Sequence, residues 1–501
     1  MHVMRSKAPR WPARANAGGQ APGSASRIPR PLAIAMALCL AACTTAVKVD
    51  LPQQPAVPAA FQQVPAANGK ENGIAQWWVN WQDPELSRYI EEALQTNTEL
   101  RIAQARVLQA RALSTMAESA RYPTLDAQAG ALHGFGNLRS PSTAPDNTPE
   151  LDGYAGGLIA TWEVDIFGRR ASDAAAAQAA ADAEQERLRG TRIVIAADVA
   201  QNYLEAQGLQ RRLALLDRRL ATLARMKRYA EARFRAGQAV SYDVLRVQEQ
   251  MSLREAQRPV LVSEIEVRER RLALLQGKPA QAATPLPVPG TFSVPATPTG
   301  ELPSTVLERR PDVRATAALV RAQAARLGSA KADLLPRFYL TFVGLDGHLH
   351  LDGLPGLSGT AGLIGAGVDL PVFNAGRLRA NIAANDAQLQ AAVAEHEQAV
   401  LRTLEEVDSA YGVRHGLDRR SEQLGAALAL ARHNADQAQR LYEGGQRTLQ
   451  DVLDARIDAL QREEDLIQVQ TGRALATVQL YRALGGGWTD DATARSSASD
   501  G

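Results

Sequence analysis

Gly237-Gln238-Ala239-Val240-Ser241-Tyr242-Asp243-Val244-Leu245 closes a long stretch of helical sequence, and its skeleton returns 208 residues later as Gly445-Gln446 followed by Asp451-Val452-Leu453. The same offset joins Arg169 to Arg377, Leu216 to Leu424 and Leu220 to Leu428, so one spacing holds along a whole helix and its turn. Further upstream the offset is 213, with Pro123 answering Pro336, Arg101 answering Arg314 and Ala105 answering Ala318. Spacing held over such distances identifies an internal duplication. Each half, 77–277 and 301–488, reads helix, strand, strand, long helix, turn, helix, and the Pro/Thr-rich stretch 278–300 links them.

The two longest helical stretches, Arg169 to Arg235 and Ala375 to Tyr442, far exceed a globular helix, and at 1.5 Å per residue each reaches about 100 Å. Leu213, Leu216, Leu220 and Leu223 are spaced three, four and three, which is a coiled-coil seam. The returning helices, Asp243 to Gln276 and Asp451 to Leu484, supply its partners. Asp83 can cap a further helix, with Pro84 in its first position, that runs to about Arg121.

Four shorter segments change period, near 124–138, 155–167, 337–350 and 360–373. Leu158, Ala160, Trp162, Val164 and Ile166 alternate with Thr161, Glu163 and Asp165, and Ile364, Ala366, Val368, Leu370 and Val372 repeat the pattern. One apolar face and one wet face suit a membrane strand, and suit a soluble two-hairpin sheet equally. Membrane barrels have at least about eight strands, so spanning strands here demand several chains around a closed symmetry axis. The fold class expected is an α+β membrane protein, a β-barrel continued by a long helical coiled coil.

Of 501 residues 45% are hydrophobic and 5% aromatic, with a net charge of +2; bulk charge therefore gives no nucleic-acid partner, and the composition is that of packed helices. Basic residues from Arg5 to Arg30 precede the apolar run Pro31 to Ala42, too short to span a bilayer but suited to a signal peptide over 1–42. Met4 or a later residue is an alternative start. Leu40-Ala41-Ala42-Cys43 resembles a bacterial lipobox, which implies lipidation of Cys43 and, with no Asp after it, the outer membrane. The other cysteine, Cys39, falls in the removed segment, so no disulfide is expected. Residues 43–76 then read as a lipid anchor and Pro-rich extended strap, and 489–501 as a disordered tail.

Four local patterns accompany the duplication: Trp162-Glu163-Val164-Asp165-Ile166-Phe167-Gly168-Arg169, Glu308-Arg309-Arg310-Pro311-Asp312-Val313-Arg314, Pro371-Val372-Phe373-Asn374-Ala375-Gly376-Arg377 and Ala483-Leu484-Gly485-Gly486-Gly487-Trp488. From Trp77 to Trp488 the chain resembles the outer-membrane efflux protein family, the TolC-like channels, in its lipoprotein branch of NodT and OprM type. The resemblance implies a homotrimer with a twelve-stranded barrel in the lipid bilayer of the outer membrane and a twelve-helix tunnel reaching into the periplasm. It also implies a passive exit duct in a tripartite efflux system, with a periplasmic adaptor protein and a proton-driven inner-membrane transporter as partners. No enzymatic activity, cofactor or metal is expected: His348-Leu349-His350 lacks partners at metal-ligand spacing. A structural coiled-coil envelope lipoprotein would explain the heptads and the lipobox, but not the repeated amphipathic strands.

Gly237 and Gly445 permit a positive φ at a tight reversal, and Ser241 can cap the returning helix. Alone these are ordinary helical hairpins. The resemblance makes them adaptor-docking tips, together with Leu449, which is also a candidate apolar constriction. Asp451 and Asp454, three apart, share a helix face that by itself reads as solvated. By resemblance they form a carboxylate ring at the periplasmic gate, with Asp243, Tyr442 and Arg447 as its latch.

Overall fold

The computed structural model describes residues 49, 56–65, 73–134, 151–287, 293–351 and 355–488. The expected signal peptide, Cys43, the C-terminal tail and the strand residues 135–138 lie outside the described residues.

Helices α1 (Pro84–Thr96) and α2 (Thr98–Ser119) open the first half. Asp83 accepts hydrogen bonds from the Glu85 and Leu86 amides, and Pro84 sits where a missing N–H costs nothing. The single helix expected to Arg121 is broken at Asn97. Its side chain accepts from the Glu99 and Leu100 amides and donates, at 2.8 Å, to the Leu275 carbonyl at the far end of the same half. Asn97 is buried, so one side chain both starts α2 and satisfies a helix C-terminus.

Strands β1 (Thr124–Gly134), β2 (Leu151–Val164), β3 (Arg337–Leu351) and β4 (Leu357–Asp369) form one antiparallel sheet in that order, with β1 and β4 as its edges. β2 starts four residues before the expected 155, because its pairing with β3 continues to Leu151 opposite Leu351. It ends at Val164, and Ile166 belongs to the turn into the next helix, where the Asp165 carboxylate accepts from the Ala171 amide. β4 begins before the expected 360 and ends at Asp369, opposite the first residue of β3, so Leu370 and Val372 have no strand partner within the chain. Registry puts Leu125, Leu158, Ala160, Trp162, Phe338, Leu340, Phe342, Ile364 and Val368 on one face. Along that face the residues turn polar toward the far end of the strands, with His133, Asp152 and His350 in one row. Among the described residues no helix is long and apolar enough to cross a membrane.

Helix α3 (Arg169–Arg235) leads away from the sheet and returns as α4 (Ser241–Glu255) and α5 (Gln257–Leu275). The returning helix, expected unbroken, is interrupted at Ala256, where Pro259 has no N–H for the Glu255 carbonyl. The second half repeats the plan with α6 (Pro303–Arg309), α7 (Pro311–Ala332), α8 (Arg377–Glu443) and α9 (Leu449–Ala483). Ala375 and Gly376 hold φ of 50° and 85°, which delays the start of α8 to Arg377.

The main core is a belt part-way along α3 and α8. Trp77 stacks on Tyr481 at 5.5 Å, and Leu86, Ile90, Ile195, Tyr203, Tyr411 and Val478 are buried with them. The linker is fastened there by the Tyr411 hydroxyl, which donates to the Pro298 carbonyl at 3.1 Å. The motif around Arg310 is part of the same belt. Arg309 donates to the Leu484 carbonyl, and Arg310 to the Ala483 carbonyl, Asp312 and Glu406, so these guanidinium groups close the end of α9. Trp488 lies between the guanidinium groups of Arg189 and Arg314, at 4.5 and 5.2 Å from its ring.

Asn97→Ala removes a helix cap and leaves a buried carbonyl without its donor, and should cost about 2 kcal/mol. Asn97→Asp keeps the cap but sets a buried carboxylate against the Leu275 carbonyl, and should cost at least as much at neutral pH. The urea midpoint of the detergent-solubilised protein measures both; equal midpoints for Asn97→Ala and wild type would refute the double role.

Candidate functional site: the two hairpin tips

Both long helices end in the same hydrogen-bonded loop. At the first tip the Gly237 amide donates to Phe234 and the Gln238 amide to Arg233, at 3.0 and 2.9 Å. At the second the Gly445 amide donates to Tyr442 and the Gln446 amide to Leu441, at 2.9 and 2.8 Å. This is the Schellman closure, and it needs a left-handed residue after the helix. Gly237 and Gly445 supply it with φ of 70° and 71°.

The helices that leave the tips start differently. Thr448 caps α9 in a reciprocal box: its hydroxyl accepts from the Asp451 amide at 3.3 Å, and its own amide and hydroxyl donate to the Asp451 carboxylate at 2.9 and 2.8 Å. These bonds hold the Asp451 carboxyl below the usual carboxylate range, assisted by the charge of Arg447. Asp454, one turn on, is pushed upward by partial desolvation and by the Asp451 charge, against the pull of Arg246 from α4. The two carboxylates on this face therefore protonate in sequence as pH falls, Asp454 first.

At the first tip the residue in the capping position is Val240, which has no side-chain cap to give. Ser241, expected as the cap, is instead the first residue of α4. The cause is the register of the repeat, in which Val240 stands where the second half has Thr448. Asp243 lies in the first turn of α4, and Val240, Tyr242 and Leu245 project into solvent.

A small apolar cluster sits behind both tips. Leu223 and Met226 of α3, Val247 of α4 and Leu453 of α9 are buried together, with Leu449, Met251 and Ile457 packed against them. Leu449 is thus a half-buried member of this cluster in the single chain. Among the described residues no hydrogen bond or ion pair within the chain joins Asp243, Tyr442 and Arg447 to one another. Sequence reading missed Thr448, although Thr448-Leu449-Gln450-Asp451 carries the capping-box spacing, and Arg246, whose relation to Asp454 joins two helices far apart in sequence.

Comparison with known proteins gives the family and the fold. Residues 89–278 and 302–486 match the family described as outer membrane efflux protein, one segment in each repeat. Outer membrane protein OprJ of Pseudomonas aeruginosa is 31% identical over 91% of this chain and 96% of its own. The pyoverdine export outer membrane protein OpmQ of Pseudomonas putida is 28% identical over 93% of this chain and all of its own. The solved outer-membrane channel OprN superposes with a TM-score of 0.78 at 28% identity, over 88% of this chain and 99% of that one. The chain belongs to the outer membrane efflux protein family and is an efflux channel of TolC and OprM type, whose four strands per chain enter a trimeric outer-membrane barrel continued by a helical tunnel.

Proposed function

We propose that the trimer is the passive exit duct of a tripartite system for small molecules, gated at its hairpin tips. The observation that carries this reading is the pair Asp451 and Asp454, one turn apart on one face at the start of α9, where the tip turns back. Three-fold symmetry gathers six such carboxylates around the axis. A ring of this kind concentrates cations and favours their passage through a narrow entrance. Asp243, Tyr442 and Arg447 lie on the same tips, and their role as a latch operates between neighbouring hairpins of different chains. The exposed Val240, Tyr242 and Leu245 around Gly237 and Ser241 offer the apolar contact that a periplasmic adaptor would grip, and the turn at Gly445 and the half-buried Leu449 form the docking tip of the second hairpin. The adaptor connects the duct to a proton-driven transporter of the inner membrane. A diacylglyceryl chain on Cys43 tethers each chain to the outer membrane.

In planar bilayers Asp451→Ala and Asp454→Ala should each lower the cation-to-anion permeability ratio, and the double variant should lower it most. A ratio unmoved by the double variant would place both residues away from the entrance. Because Asp454 is shifted upward and Asp451 downward, wild-type selectivity should fall in two steps as pH drops, the upper step vanishing in Asp454→Ala. Thr448→Ala removes the bonds that favour the Asp451 anion and should move the lower step to higher pH; an unmoved step would refute the coupling. The box itself stabilises the start of α9 above the ordinary carboxylate range and weakens as pH falls through the depressed Asp451 value. Metabolic labelling with radioactive fatty acid should mark the wild type and leave Cys43→Ala blank, and label retained by that variant would dispose of the anchor.

A further inference from the structure

We infer that the outward face of the sheet carries, beyond its apolar band, a binding site for a divalent transition-metal cation such as Zn²⁺, with His133, His348 and His350 as ligands and Asp152 as the positioning residue behind His133.

The alternation of the strands builds the site. The helices join the sheet next to Thr124, Val164, Arg337 and Asp369, so the opposite end, at Gly134, Leu151 and Leu351, is the one farthest from the tunnel and points to the cell exterior. The face that carries Leu158, Phe342 and Ile364 nearer the helices carries Asp346, His348, His350, Asp152 and His133 at that end. On such a face residues two apart follow one another along a strand, and residues paired on neighbouring strands have Cβ atoms about 5 Å apart. His350 is paired with Asp152 and Asp152 with His133, so the three form one row, and His348 stands next to His350 in the row below. Along the chain His348-Leu349-His350 has no further donor at metal-ligand spacing, and the sheet brings one from β1.

The side chains point the same way. His133 Nδ1 donates to Asp152 Oδ1 at 2.5 Å. A carboxylate at that nitrogen holds the proton there and turns the lone pair to Nε2, the arrangement that orients metal-bound histidine and raises its basicity. His348 and His350 flank one point: a Cβ built on Gly356 would lie 3.8 Å from His348 Nε2 and 3.5 Å from His350 Nδ1. The His348 ring also lies 5.7 Å from that of Tyr154, on the strand between. Among the described residues no three such groups converge on a single point as they stand. His133 and His350 are exposed and His348 is half-buried, so rotation about side-chain bonds closes the remaining gap while the strand register holds the backbone.

The ligand type sets the ion. Imidazole nitrogen favours Zn²⁺, Cu²⁺ and Ni²⁺, whereas Mg²⁺ and Ca²⁺ prefer oxygen. Three protein nitrogens leave the fourth position of tetrahedral zinc to water. A cation held there ties β1 to β3 across β2 at the outer rim, at the opposite end of the molecule from the carboxylates of the hairpin tips.

Full-length trimer purified without a histidine tag provides the test. Equilibrium dialysis against Zn²⁺ should find one tight site per chain that excess Mg²⁺ does not displace, and Cu²⁺ in that site should show nitrogen hyperfine structure by electron paramagnetic resonance. His133→Ala and His350→Ala should each abolish the tight site. Asp152→Ala should weaken Zn²⁺ binding by about 10- to 100-fold and leave the nitrogen pattern unchanged, as a positioning role requires; unaltered affinity would remove Asp152 from the site. Asp451→Ala with Asp454→Ala should bind as the wild type does, which separates this site from cation attraction at the tips. An intact wild-type trimer that binds no Zn²⁺, or that binds it no better than the triple variant His133→Ala, His348→Ala and His350→Ala, would overturn the assignment. Where a variant does not assemble, carbethoxylation of wild-type histidines read by peptide mass spectrometry decides alone: bound Zn²⁺ should protect His133, His348 and His350, and protection of none of them would overturn the site.

Discussion

Within a bilayer every backbone N–H and C=O needs a partner supplied by protein, because hydrocarbon supplies none. The sheet of this chain satisfies that demand along three seams and leaves it open along two edges, β1 and β4. Most other features of the molecule are consequences of those two edges. They force several chains around one axis. α2 and the first half of α8 carry small and apolar residues on bare faces, while their counterparts α7 and α3 bury equivalent residues inside the chain. A helix stripe that would be an aggregation hazard on a monomer is a joint in a ring.

The duplication was legible in the sequence because an offset is a property of position and needs no knowledge of packing. The cap at Asp83 and the reversals at Gly237 and Gly445 were legible for a related reason: each is a local arrangement of a few residues with one stereochemical requirement. What stayed hidden depends on residues distant in sequence. The break at Asn97 needs the Leu275 carbonyl, 178 positions away. The early start of β2, from Leu151 to Tyr154, includes Asp152 and Gly153, which carry no apolar signal and are strand because β1 and β3 pair with them on either side. Ser241 was misplaced by one residue because side-chain chemistry pointed to a cap where the repeat had put Val240. At the second tip, the types and spacing of Asp451 and Asp454 could be read directly, but their opposite displacements in pKa could not. Those arise from the Thr448 hydrogen bonds on one side and from partial desolvation and the Asp451 charge on the other.

The two tips show how one backbone plan takes on two chemistries. Both close with the same bonds around a left-handed glycine, so the path of the chain is conserved between the halves. At the next capping position the halves part. Thr448 satisfies the start of α9 internally and holds Asp451 ionised, whereas Val240 leaves the start of α4 without a side-chain cap and with Val240, Tyr242 and Leu245 in solvent. Leu449 turns inward to the cluster around Leu453, while its counterpart Ser241 stays at the surface. A polar, charged tip is stable facing water, and an uncapped apolar one gains by being covered. In a ring where the two kinds alternate, the second hairpin is therefore the one suited to line the opening and the first the one suited to be gripped from outside. The small cluster of Leu223, Met226, Val247 and Leu453 spans both hairpins and packs the two differently finished tips against each other through buried apolar contact.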